Sequence, residues 1–201
     1  LVTHDRERWM RKTLKKHLAV GVSTKSVNKV FPDLVPTFEI SLAQKFEEKR
    51  ISGKKVCVEP KLDGIRCFAI VKNGSATLYA RSGKVITNFD DTIGKELCLL
   101  GDGCYDGEIM GEDFISLMRQ AYRKENIDTA DTYFAIFDYL STTEWESRKS
   151  EMRCEDRYTR LMHVLSPKGT KYLRVVNRFY CKSDYQSIKD LHDQFVEEGY
   201  E

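Results

Sequence analysis

The chain has 201 residues, 41% of them hydrophobic and 11% aromatic, and a net charge of only +2. That is enough apolar material for a packed core. It excludes an intrinsically disordered chain and a uniformly basic one, so any footprint for nucleic acid must be local. The length fits one domain with a fragment of another, no apolar run approaches membrane-spanning length, and no secretory signal is present. The six cysteines (Cys57, Cys67, Cys98, Cys104, Cys154, Cys181) include no C-x-x-C pair and no nearby histidine at metal-ligand spacing. They read as reduced, mostly buried thiols of a cytoplasmic protein. Leu1 rather than a methionine opens the sequence, which reads as starting partway into a longer protein.

In chain order, Asp5 to Phe31 is helical in character. Trp9, Leu14, Leu18 and Val22 recur at helical spacing among Arg6, Arg8, Arg11, Lys12, Lys15 and Lys16. Gly21 suits a helix end, and Ser23 suits the cap of a second helix, Thr24 to Val30, that stops before Pro32. A basic helix pair can lie on phosphates or can simply be a solvated amphipathic face. Phe31 to Phe38, with two prolines, reads as a linker, which divides the chain into residues 1–36 and 37–201. Beyond it the pattern turns to strands. Residues 66–81 form a hairpin about Asn73-Gly74, and Val85-Ile86 is a short strand after the Ser82-Gly83-Lys84 turn. Asp91 to Leu100 is a helix, Cys104 to Met110 a strand, Phe114 to Lys124 a helix, and Thr132 to Leu140 an apolar strand. Ser150 to Leu165 is a helix with Arg153, Arg157 and Arg160 outward, Tyr172 to Cys181 a strand, and Ser183 to Glu198 a helix with Ile188, Leu191 and Phe195 inward. Hairpins with helices inserted between them give an α+β domain of antiparallel sheets flanked by helices.

The chemistry concentrates in Glu59-Pro60-Lys61-Leu62-Asp63-Gly64-Ile65-Arg66, between strand-like runs Lys55–Val58 and Cys67–Val71. A lysine on a short turn between buried strands is held in place. Gly64 allows a tight turn or a close approach, and the nearby Arg66 cation eases loss of the lysine's proton, which exposes a nucleophilic amine. The bland alternative is a charged turn. Four further positions carry two readings each. Arg66 and Arg81 suit a phosphate or a ribose, although Arg81 also suits a surface turn. Glu108, after Gly107, suits a ribose hydroxyl or a hydrated Mg²⁺, or serves as a turn acceptor. Phe137, followed by Asp138 at the end of an apolar strand, either stacks on a purine or belongs to the core.

The order Glu59 to Arg66, Arg81-Ser82-Gly83, Asp106-Gly107-Glu108 and Phe137-Asp138 resembles the covalent nucleotidyltransferases, specifically ATP-dependent DNA ligases of bacteriophage type. The tail Glu197-Glu198-Gly199-Tyr200-Glu201 looks like the approach to that family's E-G-x-x-x-K motif, cut at its glutamate. Leu14 to Pro32 looks like the last helices of its N-terminal DNA-binding region. The resemblance implies a nucleotidyltransferase (adenylation) fold in which Lys61 becomes adenylated by ATP and passes AMP to the 5′-phosphate of a DNA nick. It implies Glu59 for recognising the adenine, Arg66 for ribose or phosphate, and Arg81 for the phosphates or the nick. Glu108 is implied for ribose or metal, Phe137 for stacking on adenine, and Glu201 for Mg²⁺ or Mn²⁺. A monomer acting on nicked duplex DNA in the cytoplasm (of the host, if viral), with no membrane partner, completes the expectation. The E-G-x-x-x-K lysine, the later lysine pair and an OB-fold domain are absent from these residues. Residues 1–201 alone are therefore expected to bind ATP weakly and to adenylate slowly or not at all. An RNA ligase or capping guanylyltransferase shares the lysine chemistry, and a noncatalytic nucleic-acid-binding module shares the basic helices.

Overall fold

The computed structural model describes residues 6, 7, 10, 21, 24–32, 34, 40, 44–166 and 168–200. The chain divides into two compact units, Leu1–Glu39 and Ile40–Glu201. In the first unit Arg6, Glu7 and Met10 are helical, and helix α1 spans Thr24–Val30, with the Phe31 N–H continuing its ladder to the Val27 carbonyl. Gly21 has φ of +70°, the left-handed conformation that suits a helix end. Trp9, Leu14, Leu18, Val22, Ser23 and the cations Arg8, Arg11, Lys12, Lys15 and Lys16 lie outside the described residues.

The second unit is built on a five-stranded sheet with strand order β3-β2-β4-β5-β6. Its strands are β2 (Ile65–Lys72), β3 (Ser75–Ala80), β4 (Gly103–Met110), β5 (Tyr133–Leu140) and β6 (Leu173–Val175). β2 sits between β3 and β4 and is covered on both faces, which is why Ile65-Arg66-Cys67-Phe68-Ala69-Ile70-Val71 reads as a near-continuous apolar run. All pairings are antiparallel except β5–β6, so the sheet is mixed. A two-stranded sheet joins β1 (Lys55–Val58) to β7 (Phe179–Lys182). A one-turn π-helix, Asp90–Gly94, runs into α2 (Lys95–Leu100), and the two pack on β3 through Ile93 and Leu97. α3 (Phe114–Tyr122) places Leu117 and Ala121 against β2. α5 (Cys154–Leu165) places Leu161 and Leu165 against β5 and β6, and α6 (Tyr185–Glu197) lies on β7 through Phe195. None of the described helices is long and apolar enough to cross a membrane.

Several expectations need correction. Tyr172 to Cys181 is two strands in two sheets, because the chain leaves the large sheet at Val176 and enters the small one at Phe179. Val85 contributes one bridge to Tyr79 rather than a strand. The helix expected from Ser150 starts at Cys154, since Arg153 is extended (φ −68°, ψ 156°), and Arg157 is not outward but holds Asp138. Cys57 and Cys154 are exposed, whereas Cys67 and Cys104 are buried.

A short helix, α4 (Thr142–Glu146), was not legible as one, and Glu144 of its capping box with Ser141 is a local hub. Glu144 accepts from the Ser141 N–H at 2.8 Å and from the Ser150 hydroxyl at 2.7 Å, and Arg160 lies 3.3 Å away. Burial pushes its carboxyl up, but these donors outweigh burial and hold it down to about 2. A depressed folded value means the contribution to stability is present above the ordinary value of 4.5 and lost as pH falls toward about 2. The melting temperature is expected to fall across that window, and Glu144→Gln is expected to remove part of the fall. A variant whose acid profile parallels the unsubstituted protein would contradict this assignment.

Candidate active site

The Glu59–Arg66 segment is a crossover rather than a hairpin turn. β1 pairs only with β7 among the described strands, and β2 pairs with β3 and β4, so the loop carrying Lys61 passes from the small sheet to the large one. The flanking strands also differ: β2 is buried, whereas β1 alternates between exposed and half-buried residues. Lys61 itself is exposed. The loop is pinned at Gly64, whose N–H donates to Glu108 Oε1 at 3.2 Å. A Cβ at Gly64 would lie 2.4 Å from the Ile109 carbonyl oxygen and 2.7 Å from Met110 Sδ, so the close approach requires glycine.

Arg66 and Glu108 face each other across β2 and β4. Arg66 gives both Nε and Nη2 to the two Asp106 carboxylate oxygens, each at 2.8 Å, and its guanidinium lies 4.6 Å from the centre of the Phe137 ring. Burial pushes the Glu108 carboxyl up, against the opposing pull of the Gly64 N–H and of the Arg66 and Lys61 cations. Its partial burial is thus not fully offset by the donors and cations beside it. Arg81 lies in the turn after β3, where Gly83 has φ of +79°. A cleft of about 610 Å³ brings Arg81, Arg66, Glu108 and Gly64 together, roofed by Phe114, Met118 and Tyr122 of α3.

Phe137 is neither a strand end nor a core residue. Asp106 pairs with Asp138 and Gly107 with Ile136, which leaves Phe137 as the extra residue of a β-bulge inside β5. Strict alternation would send one of Phe137 and Asp138 into the core; with the bulge both are half-buried. Asp138 there receives Nε and Nη2 of Arg157 at 2.8 and 2.7 Å. The result is a row of two bidentate pairs, Arg66–Asp106 and Arg157–Asp138, across the sheet beside the Phe137 ring. Glu59 lines a separate cleft of about 490 Å³ with Phe46, Val58 and Ile188, and accepts from Nε of Arg178. The structure thus groups Arg66, Arg81 and Glu108 at one cleft, places Phe137 against Arg66, and ties Glu59 to Arg178. Glu201 lies outside the described residues.

Sequence reasoning missed Asp106, Asp138, Arg157 and Arg178. Asp106 had a signal, because it stands two residues from Glu108 on the same strand face. Arg178 had only a faint one, a second cation after Arg174 within the apolar strand expected over Tyr172 to Cys181.

A solved structure described as "Pmar-Lig_PreS3" superposes with a TM-score of 0.80 at 29% identity, over 97% of this chain and 50% of that one. The ATP-dependent DNA ligase from bacteriophage T7 in complex with ATP matches with a TM-score of 0.59 at 18% identity, over 78% of this chain and 59% of the phage enzyme. The Chlorella virus DNA ligase-adenylate matches equally well by TM-score (0.59) at 17% identity, over 79% of this chain and 55% of that one. No curated protein matches the chain. The fold is thus that of the adenylation domain of ATP-dependent ligases. Residues 32–201 match the family described as "ATP dependent DNA ligase domain", and the chain belongs to that family. It spans 50 to 59% of the length of these three solved structures.

Proposed function

We propose that the protein is an ATP-dependent DNA ligase that seals nicks in duplex DNA through a lysine-AMP intermediate. The observation that carries this reading is that Lys61 stands on the crossover loop that Gly64 ties to Glu108, and that Glu108 shares one cleft with Arg66 and Arg81, Arg66 lying in turn against the Phe137 ring. Lys61 Nζ attacks the α-phosphorus of ATP, and the bond to the bridging oxygen breaks to release pyrophosphate. The nitrogen loses a proton, and the resulting phosphoramidate retains the energy needed for the later phosphodiester. AMP then passes to the 5′-phosphate of a nick, and attack by the 3′-hydroxyl closes the strand and releases AMP. Arg66 and Glu108 hold the ribose and Arg81 faces the phosphates or the nick. Phe137 stacks on the adenine and Glu59 receives its amino group.

Among the described residues no group of three or more metal-ligating side chains forms a preformed cage. Mg²⁺ or Mn²⁺ is held through one or two carboxylates and substrate phosphates, so such an ion would be held by Glu108, with Glu201 as the second proposed carboxylate, and would offset charge on the phosphates. Residues 1–36 are read as the end of a DNA-binding region and 37–201 as the adenylation domain of a monomer. ATP-dependent closure of a labelled nick by the full-length protein tests the function, and closure of many nicks per protein without ATP, or closure of RNA nicks alone, would overturn it.

The half-buried Phe137 ring allows a sharp expectation. Phe137→Leu is expected to weaken ATP binding by about 1–3 kcal/mol, the worth of one stacked base, with little change in melting temperature. Unchanged nucleotide affinity with a large fall in melting temperature would make the ring structural.

A further inference from the structure

The most thoroughly engaged cation of the described active-site region is one that the proposed chemistry does not use. Arg178 lies on the short link from β6 to β7, and its side chain is only 6% exposed. Its Nε donates to Glu59 Oε1 on the Lys61 loop. Nη2 donates to the Phe137 carbonyl at 3.2 Å, and Nη1 donates to the Cys154 carbonyl at 3.2 Å. The guanidinium also lies 4.1 Å from the centre of the Tyr158 ring. One planar group therefore fixes the loop before Lys61, the bulge that aims Phe137 and the start of α5. Among the described residues Glu59 Oε2 accepts no hydrogen bond.

We infer that Arg178 is a specificity-positioning residue: by clamping Glu59 Oε1 and the Phe137 backbone together, it holds Glu59 Oε2 toward the purine's six-position and sets the preference for ATP over GTP. The inference rests on the proposed adenine slot at Glu59 and Phe137. An ionised carboxylate only accepts, so it welcomes the amino group that adenine presents there and repels the carbonyl oxygen of guanine. That discrimination holds only if the carboxylate cannot swing away. A bidentate or multiply bonded guanidinium removes that freedom where an ammonium would not. Burial works against the Arg178 charge, but the hydrogen bond and charge of Glu59 outweigh it, so the cation persists over the whole working range of pH.

The test is equilibrium binding of ATP and of GTP to the full-length protein in a Lys61→Ala background, where no covalent adduct forms. Arg178→Gln is expected to lower the ATP-to-GTP affinity ratio by about tenfold or more, the effect of freeing a charged hydrogen-bonding group. Arg178→Lys is expected to fall between the two, and it carries the test if the glutamine variant does not fold. Glu59→Gln should lower the ratio comparably, and Glu59→Gln with Arg178→Gln should lower it no further, because both act through one carboxylate. An undiminished ratio in both Arg178 variants, or losses that simply add in the double variant, would overturn the role of Arg178. An unsubstituted protein with no preference for ATP would instead overturn the adenine slot itself.

Discussion

Lys61→Ala is expected to abolish transfer of label from α-labelled ATP to the full-length protein while leaving its melting temperature within about 2 °C. The side chain is exposed, and surface substitutions of that kind change stability by only about 0.5 kcal/mol. The chemical loss is total because the amine that forms the nitrogen–phosphorus bond is gone. Lys61→Arg sharpens the experiment. It keeps a cation for the phosphates but is not deprotonated in proteins, so it should be as inactive as the alanine variant. Recovery of labelling with arginine would make Lys61 a phosphate-binding charge and not the nucleophile. Undiminished labelling in Lys61→Ala would remove it from the chemistry altogether.

Gly107→Ala is expected to be strongly destabilising. A Cβ there would lie 2.3 Å from the Ala135 carbonyl oxygen and 2.9 Å from Ile136 Cα, both backbone atoms that cannot rotate away. The clash falls at the bulge that projects Phe137, so relief requires moving β4 and β5 apart. A cost of about 3 kcal/mol or more follows, which for a chain of this size lowers the melting temperature by about 6–12 °C. Gly111→Ala is the matched control. Its new Cβ would meet the Leu117 side chain no closer than 3.3 Å, and that side chain can give, so a loss below about 1 kcal/mol is expected. Thermal melts of the two variants side by side decide the point, and equal melting temperatures would contradict the role assigned to the bulge.

What could be read from the sequence was whatever is local in the chain. Lys61, Gly64 and Arg66 lie within one short segment, although the glycine requirement at 64 comes from the close approach of Ile109 on β4, which the segment alone does not show. Asp106-Gly107-Glu108 announced a glycine between two carboxylates, although not that the neighbouring strand would press on it. The Phe137 bulge was invisible, because it is a mismatch in pairing between β4 and β5 and neither strand shows it alone. The role of Arg178 was hidden for the same reason at greater range, since its partner Glu59 stands 119 residues away. The division of Tyr172 to Cys181 between two sheets was likewise hidden, because local strand propensity is satisfied equally in either sheet.

The step that links Lys61 to DNA can be isolated in a single chase. The full-length protein is labelled with α-labelled ATP, freed of nucleotide, and mixed with a duplex carrying one nick with a 5′-phosphate and a 3′-hydroxyl. Label is expected to leave Lys61, to pass through an adenylated DNA 5′ end, and to appear as free AMP in step with strand closure. Label that remains on the protein, or that is released while the nick stays open, would contradict nick sealing through a lysine-AMP intermediate.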